Sequence, residues 1–167
     1  MSKQQWRRLE GEAAGPALRF ASGDDVAEIV RLAGVMYTEM GLDASDDAWQ
    51  LAARKALEQR LGHDVAVFVV DDVRTHGRLA ACGAASIATR LPGPSNPAAR
   101  FGYIQWVSTD FEWRRQGMAR AVTEALIRWL HERGVRSIEL HATPDGEAIY
   151  RSLGFEEGRN PALRSRT

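Results

Sequence analysis

The sequence predicts a single mixed α/β domain, and three observations carry that prediction. Short β-branched or aromatic runs alternate with longer runs whose apolar residues recur three and four apart. Glycine or a proline-rich stretch stands at many of the places where one period gives way to the other. The length of 167 residues, with 44% apolar and 26% charged, suits one domain with a core of its own.

Residues 1–16 lack any period and read as a flexible lead-in to a domain over 17–167. "ALRFA" (17–21) is short and apolar enough for a first strand. In the next segment Ser22 and Asp25 stand at capping spacing, and Val26, Ile29, Val30, Ala33 and Tyr37 fall on one helical face. Gly41 closes that helix. A second helix is expected from Ser45 as cap to Gly62 as stop, with acids in its first turn. "DVAVFVVDD" (64–72) is the continuous apolar run of a strand buried on both faces. "VRTHG" turns the chain, and "RLAACGAASIATRL" (78–91) forms a strand thinned by small residues.

"PGPSNPAA" (92–99) is a loop, and "RFGYIQWVST" (100–109) alternates as a strand. In that alternation Gln105 and Trp106 face opposite ways, so one of them can look into any cleft on a given side. The next helix starts near Gly117 and ends at Gly134, with Met118, Val122, Ala125, Leu126, Trp129 and Leu130 inward and Thr123 among the outward residues. "VRSIEL" (135–140) is a strand, "TPDGEAIYRSLG" (143–154) a short helix capped by Thr143, and "FEEG" (155–158) opens a last strand. The predicted order is β-α-α-β-β-β-α-β-α-β, without repeats or a long linker.

Charge and composition narrow the function. Lys plus Arg and Asp plus Glu both number 22, which argues against a general nucleic-acid binder and leaves room for a local basic patch. No apolar run approaches the roughly 20 residues of a membrane span. Cys82 is the single cysteine, set among small residues as a buried structural thiol would be. With no signal-like N-terminus and no disulfide pair, a cytoplasmic location is expected.

The basic patch is "FEWRRQGMARAVTEAL" (111–126). A strand here hands over to a helix whose first N–H groups have no intrahelical acceptor. Gly117 allows close approach to the backbone, Ala119 keeps the first turn slim, and Arg114 and Arg115 add positive charge at an end where the helix dipole disfavours it. These are the parts of a pyrophosphate site, and equally of an ordinary basic helix start. A Walker loop is excluded, because the Gly-Lys-Ser/Thr ending is missing.

"RRQGMA" matches the Arg/Gln-x-x-Gly-x-Gly/Ala pattern of the GCN5-related N-acetyltransferase family, with Arg114, Gly117 and Ala119 on its fixed positions. "AIYRSLGFEE" resembles the family's second signature, and "LRFASGDDVAEIVRL" its opening strand and helix. The likeness spans residues 17–158. It implies a mostly antiparallel sheet flanked by helices, acetyl-CoA as co-substrate, no metal, and transfer to a primary amine of a small molecule or peptide. It implies that the backbone of Arg114, Arg115, Gln116, Gly117, Met118 and Ala119 holds the pyrophosphate. Val107 and Thr109 then offer backbone groups to the pantetheine and thioester, and Tyr150 protonates the departing thiolate.

Many family members carry a glutamate where this chain has Gln105, which can hold a water or orient a substrate but cannot take a proton. His141 is the tentative base by its intrinsic basicity. Glu39 and Asp43 fall where the family meets its acceptor, as solvated acids, as partners of a cationic amine or as proton acceptors, and Tyr37 and Trp106 are aromatics that can line the pocket. Thr143 replaces an asparagine common in the second signature. Two rivals follow: a catalytically silent CoA-binding sensor or structural module of the same fold, and a nucleic-acid binder built on the Arg114–Arg120 patch. A homodimer fits the resemblance as well as a monomer does.

Overall fold

The computed structural model describes residues 17–165; the predicted lead-in over 1–16 lies outside the described residues. Five strands form one sheet in sequence order: β1 (Leu18–Phe20), β2 (Val65–Asp71), β3 (Leu79–Thr89), β4 (Arg100–Thr109) and β5 (Ser137–Leu140). The first four pair antiparallel, and β5 runs parallel to β4. Among the described residues four α-helices accompany them: α1 (Val26–Glu39), α2 (Asp47–Arg60), α3 (Met118–Glu132) and α4 (Glu147–Ser152).

The sheet is buried on both faces, and β2 shows why its sequence is apolar throughout. Val65, Val67 and Val69 pack with Ile29, Val30 and Leu32 of α1 and Leu57 of α2. Ala66, Phe68 and Val70 pack with Val122, Leu126 and Trp129 of α3. A strand sandwiched between helical layers has no solvent face to mark with polar residues.

Two glycines let α3 lie against the sheet. A Cβ on Gly83 would stand 2.4 Å from Val122 Cγ1, and one on Gly102 would stand 2.8 Å from Leu130 Cδ1. Both distances are far inside van der Waals contact, so these positions must be glycine for α3 to sit this close. That approach brings the start of α3 to the end of β4.

Several local expectations are corrected. Asp46 caps α2, its side chain accepting from Ala48 N–H at 2.9 Å, whereas Ser45 hydrogen-bonds Asp43 instead. Helix α4 begins at Glu147, because a turn over 144–146 closes first on the Thr143 carbonyl, which accepts from Gly146 N–H. Thr123 points into the core rather than outward, its hydroxyl donating to the Ala119 carbonyl at 2.7 Å. That internal bond satisfies the polar atom without water. The expected final strand does not form: residues 155–158 are not in the sheet, and Phe155 packs on the α3-side core.

Candidate active site

The site grows from a mismatch in strand length. β5 pairs with β4 only from Phe101–Ser137 to Ile104–Leu140, so β4 continues alone from Gln105 to Thr109. Gln105, Ser108 and Thr109 keep their pairing to β3, and the stretch presents an open edge on the other side.

A bulge sits at the start of this open edge. Ala84 faces Gln105 and Cys82 faces Ser108, so β4 holds one residue more than β3 across Gly83. Trp106 takes up the excess with a φ of 56°, a left-handed conformation uncommon for a bulky residue. Two contacts hold Trp106 there and a third pins the strand two residues on. Trp106 Nε1 donates to the Tyr37 hydroxyl at 2.9 Å, the Cys82 thiol lies 3.4 Å from the Trp106 carbonyl oxygen, and Ser108 Oγ donates to the Leu32 carbonyl at 2.8 Å.

The bulge overturns the expected alternation. Gln105 lies opposite Ala84, a member of the α1-side core, and Trp106 packs against that same core. Both therefore look to the α1 side, because the extra residue cancels one step of the pleat. Val107 returns to the α3 side.

At the far end of β4 the chain makes a short turn into α3. Arg115 and Gly117 both adopt positive φ, 61° and 79°. The first bond closing α3 runs from Ala121 N–H to the Gly117 carbonyl at 3.0 Å. The N–H groups of Met118, Ala119 and Arg120 thus have no intrahelical acceptor, and the dipole adds positive potential where they emerge. Nothing lies within 4 Å of a Cβ built on Gly117, so its backbone angle, and not crowding, requires glycine here.

The six loop residues predicted to hold a pyrophosphate play different parts. Arg115, Gln116 and Gly117 are exposed, while Met118 is buried in the core and can offer only its backbone. Arg114 is already engaged: it pairs with Glu39, donates from Nε to the Thr109 carbonyl at 3.2 Å and lies over the Phe111 ring. Its guanidinium ties the turn to α1 and to the end of β4, leaving Arg115 as the free-standing charge of the pair. Thr109 Oγ1 is buried beside this turn without a hydrogen-bond partner among the described residues. A row of unengaged donors and an orphaned hydroxyl at one strand end suit an extended ligand that carries a diphosphate.

The α1 side of β4 holds the other predicted residues. Tyr37 joins Trp106 to Trp49, its ring edge-on to Trp49 at 5.5 Å. His141 is the first residue past the last β4–β5 pair, which sets it beside Gln105 at the mouth of the opening. Its Nδ1 is 2.9 Å from the Tyr103 hydroxyl. Tyr103 was missed in the sequence, though its place two residues before Gln105 on the strand puts both on one face. Burial raises the Tyr103 phenol above its ordinary value; Arg164 opposes the shift, and Tyr37 and Glu139 reinforce it.

Tyr150 lies in α4, half-buried, its ring edge-on to Phe155 at 6.1 Å. Burial alone raises its phenol above the ordinary value, so it keeps its proton through neutral pH. The two acids of the predicted pocket are spoken for: Glu39 pairs with Arg114, and the exposed Asp43 accepts from the Ser45 hydroxyl and N–H, which hold its carboxyl below the usual range. Burial pushes the Cys82 thiol up to about 12, so it is a structural thiol and not a nucleophile.

A family model for the GNAT acetyltransferases matches residues 26–155. The fold is shared with a predicted acetyltransferase from Clostridium acetobutylicum solved with acetyl-CoA, at a TM-score of 0.80 and 19% identity over 89% of this chain and 95% of that one. A GCN5-related N-acetyltransferase from Ralstonia eutropha gives a TM-score of 0.76 and 23% identity, over 90% and 99%. Glucosamine-6-phosphate N-acetyltransferase from Arabidopsis thaliana gives 0.70 and 16%, over 91% and 99%. No curated protein matches the chain in sequence. The sheet that splays after Ile104, the bulge at Trp106 and the left-handed turn into α3 thus sit within a family match of 130 consecutive residues, and the chain belongs to the GNAT acetyltransferase family.

Proposed function

We propose that the protein moves an acetyl group from acetyl-CoA to a primary amine by direct attack in a ternary complex. The observation that carries this reading is the continuity of two features: the open edge of β4 from Gln105 to Thr109 runs straight into the turn whose amides are unengaged. An extended thioester can lie along the first while its diphosphate meets the second. The Clostridium structure with acetyl-CoA supports that choice of donor.

Each residue then has a task. The backbone of 115–119 holds the diphosphate, and Arg114 supports the turn from behind. A backbone N–H near Val107, turned out of the ladder by the bulge, stabilises the developing oxyanion. Tyr150, which retains its proton, protonates the leaving thiolate. Gln105 orients a water or the amine, and His141 removes the amine's proton, which a free amine near pKa 10 holds at neutral pH. Tyr37 and Trp106 wall the acceptor side. Asp43 contributes negative charge for a cationic amine, whereas the charge of Glu39 is offset by Arg114. Cys82 has neither the ionisation nor the exposure for a covalent acetyl-enzyme. Among the described residues no helix is long and apolar enough to cross a membrane. We place the protein in the cytoplasm, with neither nucleic acid nor membrane as partner, as monomer or homodimer.

Thiol release against a panel of amines, alongside calorimetry with acetyl-CoA, tests the reading. Tyr150→Phe should cut kcat by tens-fold while acetyl-CoA affinity stays within about twofold. Tight acetyl-CoA binding without turnover on any amine would favour the silent CoA-binding module instead, and unchanged turnover in Tyr150→Phe would remove that residue from its role.

A further inference from the structure

The hydrogen bond between Tyr103 and His141 lies beside the point where β4 and β5 part. Tyr103 is in the last turn of pairing before β4 and β5 part, opposite Glu139 on β5. It shares a face with Gln105, which stands opposite Ala84 of the α1-side core, and with Trp106. His141 is exposed, and its Nδ1 meets the Tyr103 hydroxyl at 2.9 Å. One partner is half-buried beside the site and the other reaches solvent.

We infer that Tyr103 and His141 form a proton relay from the acceptor amine to bulk water, with Tyr103 as the catalytic residue that touches the amine. This rests on the acetyltransferase reading above and revises it, because the proton reaches His141 through a phenol. An exposed neutral imidazole carries its proton at Nε2, where water solvates it, so Nδ1 offers a lone pair and the phenol O–H donates to it. The acceptor's ammonium gives one proton to Tyr103 Oη as Tyr103's own proton passes to His141 Nδ1. The imidazolium then releases one proton to water from Nε2, and exchange with solvent restores the starting tautomer. The ammonium has lost one proton, water has gained one, and Tyr103 is unchanged.

The surroundings suit a relay better than an ionised base. The phenol is held protonated by burial, with Tyr37 from α1 and Glu139 from β5 adding to that bias and Arg164 opposing it. Glu139 is itself neutralised by Arg90 at 2.9 Å, so it does not compete for the proton.

The test combines kinetics with a spectroscopic readout on the full chain. Tyr103→Phe and His141→Gln should each lower kcat about 10–100-fold at pH 7 and leave the KM for acetyl-CoA within twofold. The double variant should be no slower than the worse single one. Both defects should close as the pH approaches about 10, where the amine arrives deprotonated. Nitrogen-15 spectra of labelled histidine, with His141→Gln supplying the assignment, should show Nε2–H at His141 and a hydrogen-bonded Nδ1 that Tyr103→Phe releases. Full activity in Tyr103→Phe, additive losses, a defect constant from pH 7 to 10, or an Nδ1–H tautomer in the wild type would each overturn the relay while acetyl transfer itself stands. A wild type that turns over no amine overturns the acetyltransferase reading, and the relay with it.

Discussion

Replacing Gly83 with alanine tests the close approach of α3 to the sheet. The added Cβ would meet Val122 Cγ1 at 2.4 Å, Leu126 Cδ1 at 3.2 Å and Val107 Cγ2 at 3.3 Å. Carbon atoms in contact stand about 3.5–4.0 Å apart, so α3 or β3 must yield by more than about 1 Å. Neither can do so cheaply, since Val122 and Leu126 are fully buried. Overpacking of this kind costs about 1–3 kcal/mol, and three simultaneous contacts place this case near about 3. For a chain of this size that corresponds to a fall in Tm of roughly 6–12 °C.

Thermal and urea unfolding followed by circular dichroism measure it. Val122→Ala alone should cost about 2 kcal/mol by leaving a cavity. The pair Gly83→Ala with Val122→Ala should cost no more than Val122→Ala by itself, because the new methyl fills the space that the old ones vacate. An unchanged Tm in Gly83→Ala, or a double variant that loses the full sum of the two single costs, would refute the argument.

Three further outcomes are expected. Gly117→Ala forces a left-handed φ of 79° on a residue with a Cβ, costing about 1–2 kcal/mol, and should weaken acetyl-CoA binding in calorimetry more than it lowers Tm. Asp25 accepts from Arg19 at 2.8 Å and from Ser22 N–H at 2.7 Å, and both hold its carboxyl below the ordinary 3.8. Its stabilising share is therefore complete above about pH 4 and lost as pH falls through the lower folded value, so Asp25→Asn should flatten the loss of Tm between pH 5 and 2. Cys82, fully buried, should react with a disulfide reagent only at the rate at which the protein opens, and fast labelling of the folded state would contradict its burial.

The sequence by itself determined most of the architecture, because that information is local. The period of β2, the apolar stripe of α3 and the glycines at 41, 62 and 134 reflect the propensities and turns of neighbouring residues, and the structure follows them closely. The start of α3 near Gly117 was legible for the same reason, whereas the left-handed backbone at Arg115 and Gly117 appears only in the folded chain. The final strand was misread at "FEEG", where Phe155 is the single apolar residue and its side chain packs against the α3-side core instead of entering the sheet.

The arrangement of the active face was decided by tertiary structure alone. Alternation sets Gln105 and Trp106 on opposite sides, and only the pairing of β4 against β3, one residue out of step at Gly83, brings them to the same side. Arg114 looks like a ligand in sequence and becomes a brace because Glu39, 75 positions earlier, comes within reach through the packing of α1 on β4. Tyr103 and His141 are 38 residues apart and meet because β5 lies parallel to β4 up to Ile104 and no further. A bulge, an ion pair and a strand that ends early each depend on which distant segments are neighbours, and that is a property of the packed chain and not of any window along it.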